Sequence, residues 1–295
     1  MQTASSHADP QADLQKQLLR LNHVRLIPSL SSAKAHAMLS EENALRRLEL
    51  EFVESEREAV REESSVVPTT ADAFLRWFRS LETDGPGQSD PLFVWLENHA
   101  TLAQMRWFVA QEAAGEAGFD DLVALVQLRL PLRAKLEMAR NYWDEMGRGK
   151  AGGAHSAMFN NLLEYLHIDL QTLDAIWQTR ALGNLMCALA GNRAYAYQAI
   201  GALGVIELTA PGRAAAVNAG LKRLGLPLSA RKYYAVHATL DIQHACSWMS
   251  EVLAPLVDTL PEAAPLIAEG ALMRLRAGAR AFATYRAHLW YTLPC

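Results

Sequence analysis

Three cysteines in 295 residues, Cys187, Cys246 and Cys295, with no Cys-x-x-Cys pair, leave no material for a disulfide framework or a thiolate zinc site. That scarcity fits a reducing compartment. A basic stripe is lacking as well: the net charge is -4 and Lys and Arg are dispersed, so nucleic acid is set aside as a partner. The opening MQTASSHADPQADLQ has no basic start followed by an apolar run, so no signal peptide is expected, and residues 1–15 are expected to be a disordered tail. A long uninterrupted hydrophobic run is missing too. The most apolar stretch, 182–210, is broken by Asn184, Asn192, Arg193 and Glu207 and reads as buried helix pairs, not a membrane span. Together these absences predict a soluble cytoplasmic protein with neither membrane nor nucleic-acid partners. Period-2 alternation is also lacking, so no strand is expected.

What is present is helix. Hydrophobic residues make up 51% of the chain, enough for a large core. Residues 41–64 carry a narrow stripe of Leu45, Leu48, Phe52 and Val53, and 80–91 reads as a loop. Helices are then expected near 92–114, 120–146 (kinked at Pro131), 156–168, 171–190, 192–208, 212–224, 229–256 and 262–290. Wide apolar faces joined by short loops predict an all-α multi-helix bundle. Residues 16–90 are expected to form a helical extension packed on a main unit over 91–295.

Within that bundle, YYAVHATLDIQHACSW places His237, Asp241 and His244 at i, i+4 and i+7, within about 60° on one helical face. Two imidazoles and a carboxylate among apolar neighbours need partners: a metal, or a hydrogen-bonded polar stripe reaching solvent. In NYWDEMGRGKAGGAHSAMF a helix ends at Glu145, a glycine-rich turn reverses the chain, and His155 opens the next helix. This pair reads either as ligands from two helices or as a capping acid and a surface histidine. Glu207 stands in an apolar, glycine-rich helix four residues before Pro211, either buried with a partner or reaching solvent near a helix end.

The order DExG (144–147), then His155, then Glu207 about 30 residues before HxxxDxxH resembles the haem-oxygenase-like diiron oxidases and oxygenases, over about residues 92–256. The resemblance implies a haem-oxygenase-like bundle binding two iron ions and no haem, with O2 as co-substrate. It implies the ligand set Glu145, His155, Glu207, His237, Asp241 and His244, divided as His155 and His237 on one iron, Glu207, Asp241 and His244 on the other, and Glu145 shared. Glu112 and Glu116 are candidates for a further ligand or a supporting acid. A mixed imidazole and carboxylate set suits iron. The family acts on small metabolites, often in natural-product pathways. An amino acid or amine-bearing substrate is expected, by N-oxygenation or oxidative C–C cleavage, with Arg140, Asn141, Asn160 and Asn161 as groups that hold it. The alternatives are a fatty-acid-type oxidative decarboxylase, and a metal-free or non-catalytic helical binding protein.

Tyr142, Phe159, Tyr197, Tyr234 and Trp248 are candidate walls of a substrate pocket, each equally suited to a core position. Glu164-x-x-His167 has the spacing of ferritin-like sites and, with Asp241 and His244, forms a rival metal site. Glu97 and His99 point to nearly opposite faces and are not a ligand pair. Cys246 and His288 are expected to be structural. GRGKAGG follows no strand and so fails as a phosphate loop, and Ser156 lacks the partners of a nucleophile. A homodimer is compatible with the apolar C-terminal helix and the charged helix at 41–64.

Overall fold

The Asp9 side chain accepts a hydrogen bond from the backbone N–H of Gln11, and Pro10 supplies the fixed φ of a first turn, so helix α1 runs Pro10–Leu26. The expected disordered tail over 1–15 therefore fails from Pro10 onward. Residues 1–8 lie outside those described in this computed structural model, which are 9–28 and 32–291. The chain continues as α2 (Ser32–Glu58), α3 (Arg61–Ser65), α4 (Ala71–Asp84), α5 (Pro91–Asn98), α6 (Leu102–Gly115) and α7 (Phe119–Val126). It goes on as α8 (Leu132–Glu145), α9 (His155–Tyr165), α10 (Trp177–Gly191), α11 (Ala196–Arg223), α12 (Lys232–Ser247), α13 (Ala254–Thr259) and α14 (Ala263–Tyr291). Among the described residues there is no strand.

Three boundaries differ from the sequence expectation, each for a local reason. The helix expected over 92–114 is two, because Thr101 and Gln104 form a reciprocal capping box that starts α6 afresh. Pro131 does not kink one long helix but precedes α8 in extended conformation. Conversely, the stop expected at 209–212 is absent: α11 runs straight through Pro211. The proline forfeits one backbone bond, the one to the Glu207 carbonyl four residues back. Burial of α11 on several sides, against α5, α12 and α14, outweighs that loss. Where α11 crosses α14, a Cβ at Gly201 would stand 1.8 Å from the Ile267 carbonyl oxygen, and one at Gly270 1.8 Å from that of Gln198. Only glycine permits so close an approach.

The apolar stretch at 182–210 is interior. Among the described residues one helix, Arg193–Arg223, is apolar and long enough to cross a membrane by length and composition, and 61% of its most apolar window is buried in the protein. Helix α1 lies against this core through Asn22, which bonds Asn184 at 2.8 Å, and an Arg25–Glu49 ion pair (2.8 Å) joins α1 to α2.

Two hydrophobic clusters make up the interior, and their boundary positions the site. On α11, residues through Leu208 belong to the first cluster and Ala214 onward to the second. On α12, Tyr234 belongs to the second cluster and Ala245 to the first. Glu207, Arg213, His237, Asp241 and His244 therefore fall in a polar layer between the two cores.

Candidate metal centre and its cavity

Helix α8 delivers Glu145 at its C-terminal end, and the turn after it reverses the chain so that His155 opens α9. The reversal depends on Gly147, whose φ is +63° and where a Cβ would stand 2.2 Å from the Gly153 carbonyl carbon. Helix α11 supplies Glu207 and α12 supplies His237, Asp241 and His244. Glu145, His155, Glu207, Asp241 and His244 are each at most 5% exposed, and His237 is partly buried.

These side chains converge. His155 Nδ1 is 2.6 Å from Glu145 Oε2 and 3.0 Å from His237 Nε2. His237 Nδ1 donates to the Tyr233 carbonyl at 2.7 Å, which turns Nε2 inward as the free ring nitrogen. His244 Nδ1 lies 3.5 Å from Glu207 Oε2, 3.9 Å from Asp241 Oδ1 and 4.0 Å from Glu145 Oε1. Two groups of potential ligand atoms result, Glu145–His155–His237 and Glu145–Glu207–His244, each with its atoms within 4.8 Å of one another. Glu145 belongs to both, and Asp241 borders the second.

Supporting contacts hold this arrangement. Asn141, one turn before Glu145 on α8, donates through Nδ2 to Glu207 Oε1 at 2.5 Å. His244 Nε2 is 3.3 Å from Asp144 Oδ2, and Arg148 in turn donates to Asp144 Oδ1 at 2.6 Å. Neither Asn141 on Glu207 nor Asp144 on His244 was foreseen, although Asn141 shares a helical face with Glu145 four residues on.

The electrostatics are those of a buried, crowded acid cluster. Burial, then the charge of Glu207, pushes the Glu145 carboxyl up to about 9. Burial, then Glu207 and Glu145, raises Asp241 to about 10. Burial works against charge on His244, but Glu207, followed by Asp144 and Glu145, outweighs it and raises the imidazole to about 9. His155 and His237 are instead lowered to about 4, first by burial and then by neighbouring imidazoles, so they are neutral at physiological pH. His244 Nδ1 and Asp241 Oδ1 are buried and make no hydrogen bond among the described residues. Ligand atoms about 2 Å from a shared ion stand roughly 3–4 Å from one another, the spacing seen around His244 Nδ1. The donor set, its spacing and its unbonded atoms thus fit metal ions.

The cluster opens on a cavity of about 220 Å³, whose wall also includes Phe159, Tyr233, Tyr234, Glu112, Glu116, Arg213 and Arg274. Of the expected pocket aromatics, Phe159 and Tyr234 line it. Tyr142, Tyr197 and Trp248 do not: Tyr142 and Tyr197 pack on the first core cluster, and Trp248 is buried there with Nε1 donating to the Ile200 carbonyl at 3.3 Å. An indole with its one donor satisfied internally has no reason to face a cavity. Glu112 and Glu116 line the cavity but join neither ligand group. The Glu116 carboxylate instead accepts the backbone N–H groups of Gly118 and Phe119 at the start of α7.

Several other expectations need correction. Arg140 is exposed and pairs with Glu137. Asn160 and Asn161 are exposed, Asn161 bonding the Ser229 carbonyl, so neither reaches the cavity. Glu164 and His167 are exposed and join neither ligand group, so the ferritin-like rival does not assemble. His288 stacks on Trp107 at 4.0 Å, and Cys246 is exposed, not buried. Arg213 and Arg274 were missed, because single arginines at polar positions of apolar helices look like solvent-facing residues.

Sequence and structure comparisons bear on the family and the fold. The sequence profile described as "Iron-containing redox enzyme" matches residues 106–279. No curated protein matches the sequence. Two solved structures of a CADD-like protein of unknown function from Nostoc punctiforme PCC 73102 are similar in fold. One aligns over 74% of this chain and 98% of its own, at 18% identity and a TM-score of 0.60. The other aligns over 76% of this chain and 98% of its own, at 16% identity and a TM-score of 0.58.

Proposed function

Because the chain belongs to the family of iron-containing redox enzymes, we propose that it is a non-haem diiron oxidase or oxygenase that uses O2 to transform a small metabolite. The observation that carries this reading is the convergence of ligand-type side chains from four helices beside a cavity, in two groups that share Glu145. His155 and His237 would hold one iron and Glu207, Asp241 and His244 the other, with Glu145 available to both. When bound, the iron pair supplies the electrons and open coordination positions that O2 activation requires.

The chain's own residues do the rest. The Tyr233 carbonyl fixes the tautomer of His237, Asn141 fixes Glu207, and the Arg148–Asp144 pair fixes His244. Three carboxylates offset most of the charge of two ferrous ions, which makes burial of the pair tolerable. The protons on Glu145, Asp241 and His244 must leave when metal enters. Apolar cores on two sides of the polar layer bound the cavity.

The substrate class is an amino acid or amine-bearing compound, oxidised by N-oxygenation or oxidative C–C cleavage in a natural-product pathway. Cavity size favours this over a long acyl chain. The cavity of about 220 Å³ is smaller than the roughly 300–1,000 Å³ of drug-sized pockets. The test is anaerobic Fe(II) titration of metal-free protein followed by rapid mixing with O2. Uptake of two irons per chain, with a transient visible absorption that His244→Ala lacks, is the expected result. Absence of iron uptake, or uptake and absorption unchanged in His244→Ala, overturns the reading.

A further inference from the structure

Away from the ligand cluster the same cavity carries buried donors beside Glu112 and Glu116. Arg213 on α11 and Arg274 on α14 both reach it. The Arg213 guanidinium lies over the rings of Phe93 (6.0 Å) and Phe282 (5.6 Å), and its one hydrogen bond is to Thr209 Oγ1 at 3.0 Å. Arg274 Nε and the Tyr234 hydroxyl are buried and have no hydrogen-bond partner among the described residues. Neither arginine makes an ion pair with a carboxylate there. Glu112, in the same cavity wall, acts on both guanidiniums through its charge without forming an ion pair, and Glu116 is occupied by the backbone of α7. Burial, then the charge of Arg274, pushes Arg213 down to about 10, so it remains a cation at neutral pH.

Buried donors without acceptors are costly, and guanidiniums match carboxylates in shape and charge. We propose that Arg213, Arg274 and the Tyr234 hydroxyl form a subsite that holds the carboxylate of a small substrate. Arg213 lies six residues beyond Glu207 on α11, about 9 Å along the helix axis. A carboxylate held there is about one amino acid's length from the metal ligands, so the distal part of the molecule, not its carboxylate, meets the oxidising centre. That placement argues against decarboxylation at the metal as the reaction. The inference rests on the metal centre proposed above for its functional meaning, but the subsite itself is testable without iron.

The probes are the twenty common L-amino acids and hexanoate, each beside its carboxamide. Binding is read by calorimetric titration and melting temperature, on metal-free protein and on ferrous protein without O2. At least one acid is expected to bind both forms, with its carboxamide at least tenfold weaker. Arg274→Met and Arg213→Met each weaken that acid about ten- to a hundredfold. Tyr234→Phe, which removes only a hydroxyl and keeps the fold testable, weakens it several-fold. Lack of binding by every acid, equal binding of acid and carboxamide, or wild-type affinity in Tyr234→Phe and in the folded arginine variants overturns the proposal. Binding that needs iron and ignores the arginines also overturns it, because the carboxylate would then sit on the metal. Iron uptake measured on the same samples separates the two readings. Failed uptake with arginine-dependent binding sinks only the diiron reading, and normal uptake with arginine-independent binding sinks only this one.

Discussion

At one end of the cavity, between α8, α9, α11 and α12, carboxyl groups and imidazoles crowd together with acceptor atoms left unbonded. At the other end, on α11, α12 and α14, stand two guanidiniums and a phenol hydroxyl, with Arg274 Nε and the hydroxyl unbonded among the described residues. Both ends are buried between the same two apolar cores. The contrast teaches that an unsatisfied buried group carries information through its sign. Acceptors in excess call for cations and donors in excess call for an anion. Elsewhere, part-buried arginines form ion pairs with carboxylates, as Arg25 with Glu49 and Arg57 with Glu269.

The largest effect that breaks this contrast is expected from Glu145→Gln, since Glu145 alone belongs to both ligand groups. Iron uptake falls from two per chain to fewer than one, measured by anaerobic titration. The same variant without metal melts higher than wild type at pH 8, by on the order of a few kcal/mol, because a neutral amide replaces an acid that burial forces to hold its proton.

The acid end also dictates pH behaviour. Glu145, Asp241 and His244 have folded-state values above their ordinary ones, at about 9, 10 and 9. Between about pH 6.5 and 9 the folded metal-free protein therefore binds more protons than the unfolded chain, and its stability falls as pH rises. His155 and His237, lowered to about 4, act the other way: their contribution is complete above 6.5 and is lost as pH falls toward 4. Melting temperature of metal-free protein should thus decline from pH 6.5 to 9. Ferrous iron added at pH 7 should release about three protons per chain, read with an indicator dye. Release of none would mean the acids are already ionised.

Smaller again is Asp144→Asn, which keeps the shape beside His244 but removes the charge. Iron affinity should weaken about tenfold at one site and not at the other, resolved as two phases in the titration. The smallest expected effect is Arg274→Met on iron: stoichiometry stays at two, because Arg274 belongs to the donor end. A lost iron there would dissolve the distinction between the ends.

Helical spacing pointed to part of the acid end, and the resemblance to haem-oxygenase-like diiron enzymes supplied the rest of the set. His237, Asp241 and His244 declared one face of one helix, and the glycines after Glu145 declared the reversal that brings His155 back. The donor end was not legible. Arg213 and Arg274 belong to helices whose crossing is set by Gly201 and Gly270, and no spacing within either helix reveals which face meets a shared cavity. The aromatics divided for the same reason: Tyr234 and Trp248 lie on one continuous helical stretch, yet only Tyr234 reaches the cavity. The straight passage of α11 through Pro211 was likewise hidden, since tertiary burial overrides a local stop signal.

The most direct test of the central claim is anomalous diffraction at the iron edge from crystals loaded with ferrous iron without O2. The account predicts two iron peaks about 3.5–4 Å apart, with the Glu145 carboxylate between them, His155 and His237 on one and Glu207, Asp241 and His244 on the other. A single peak, or iron bound away from Glu145, would contradict it.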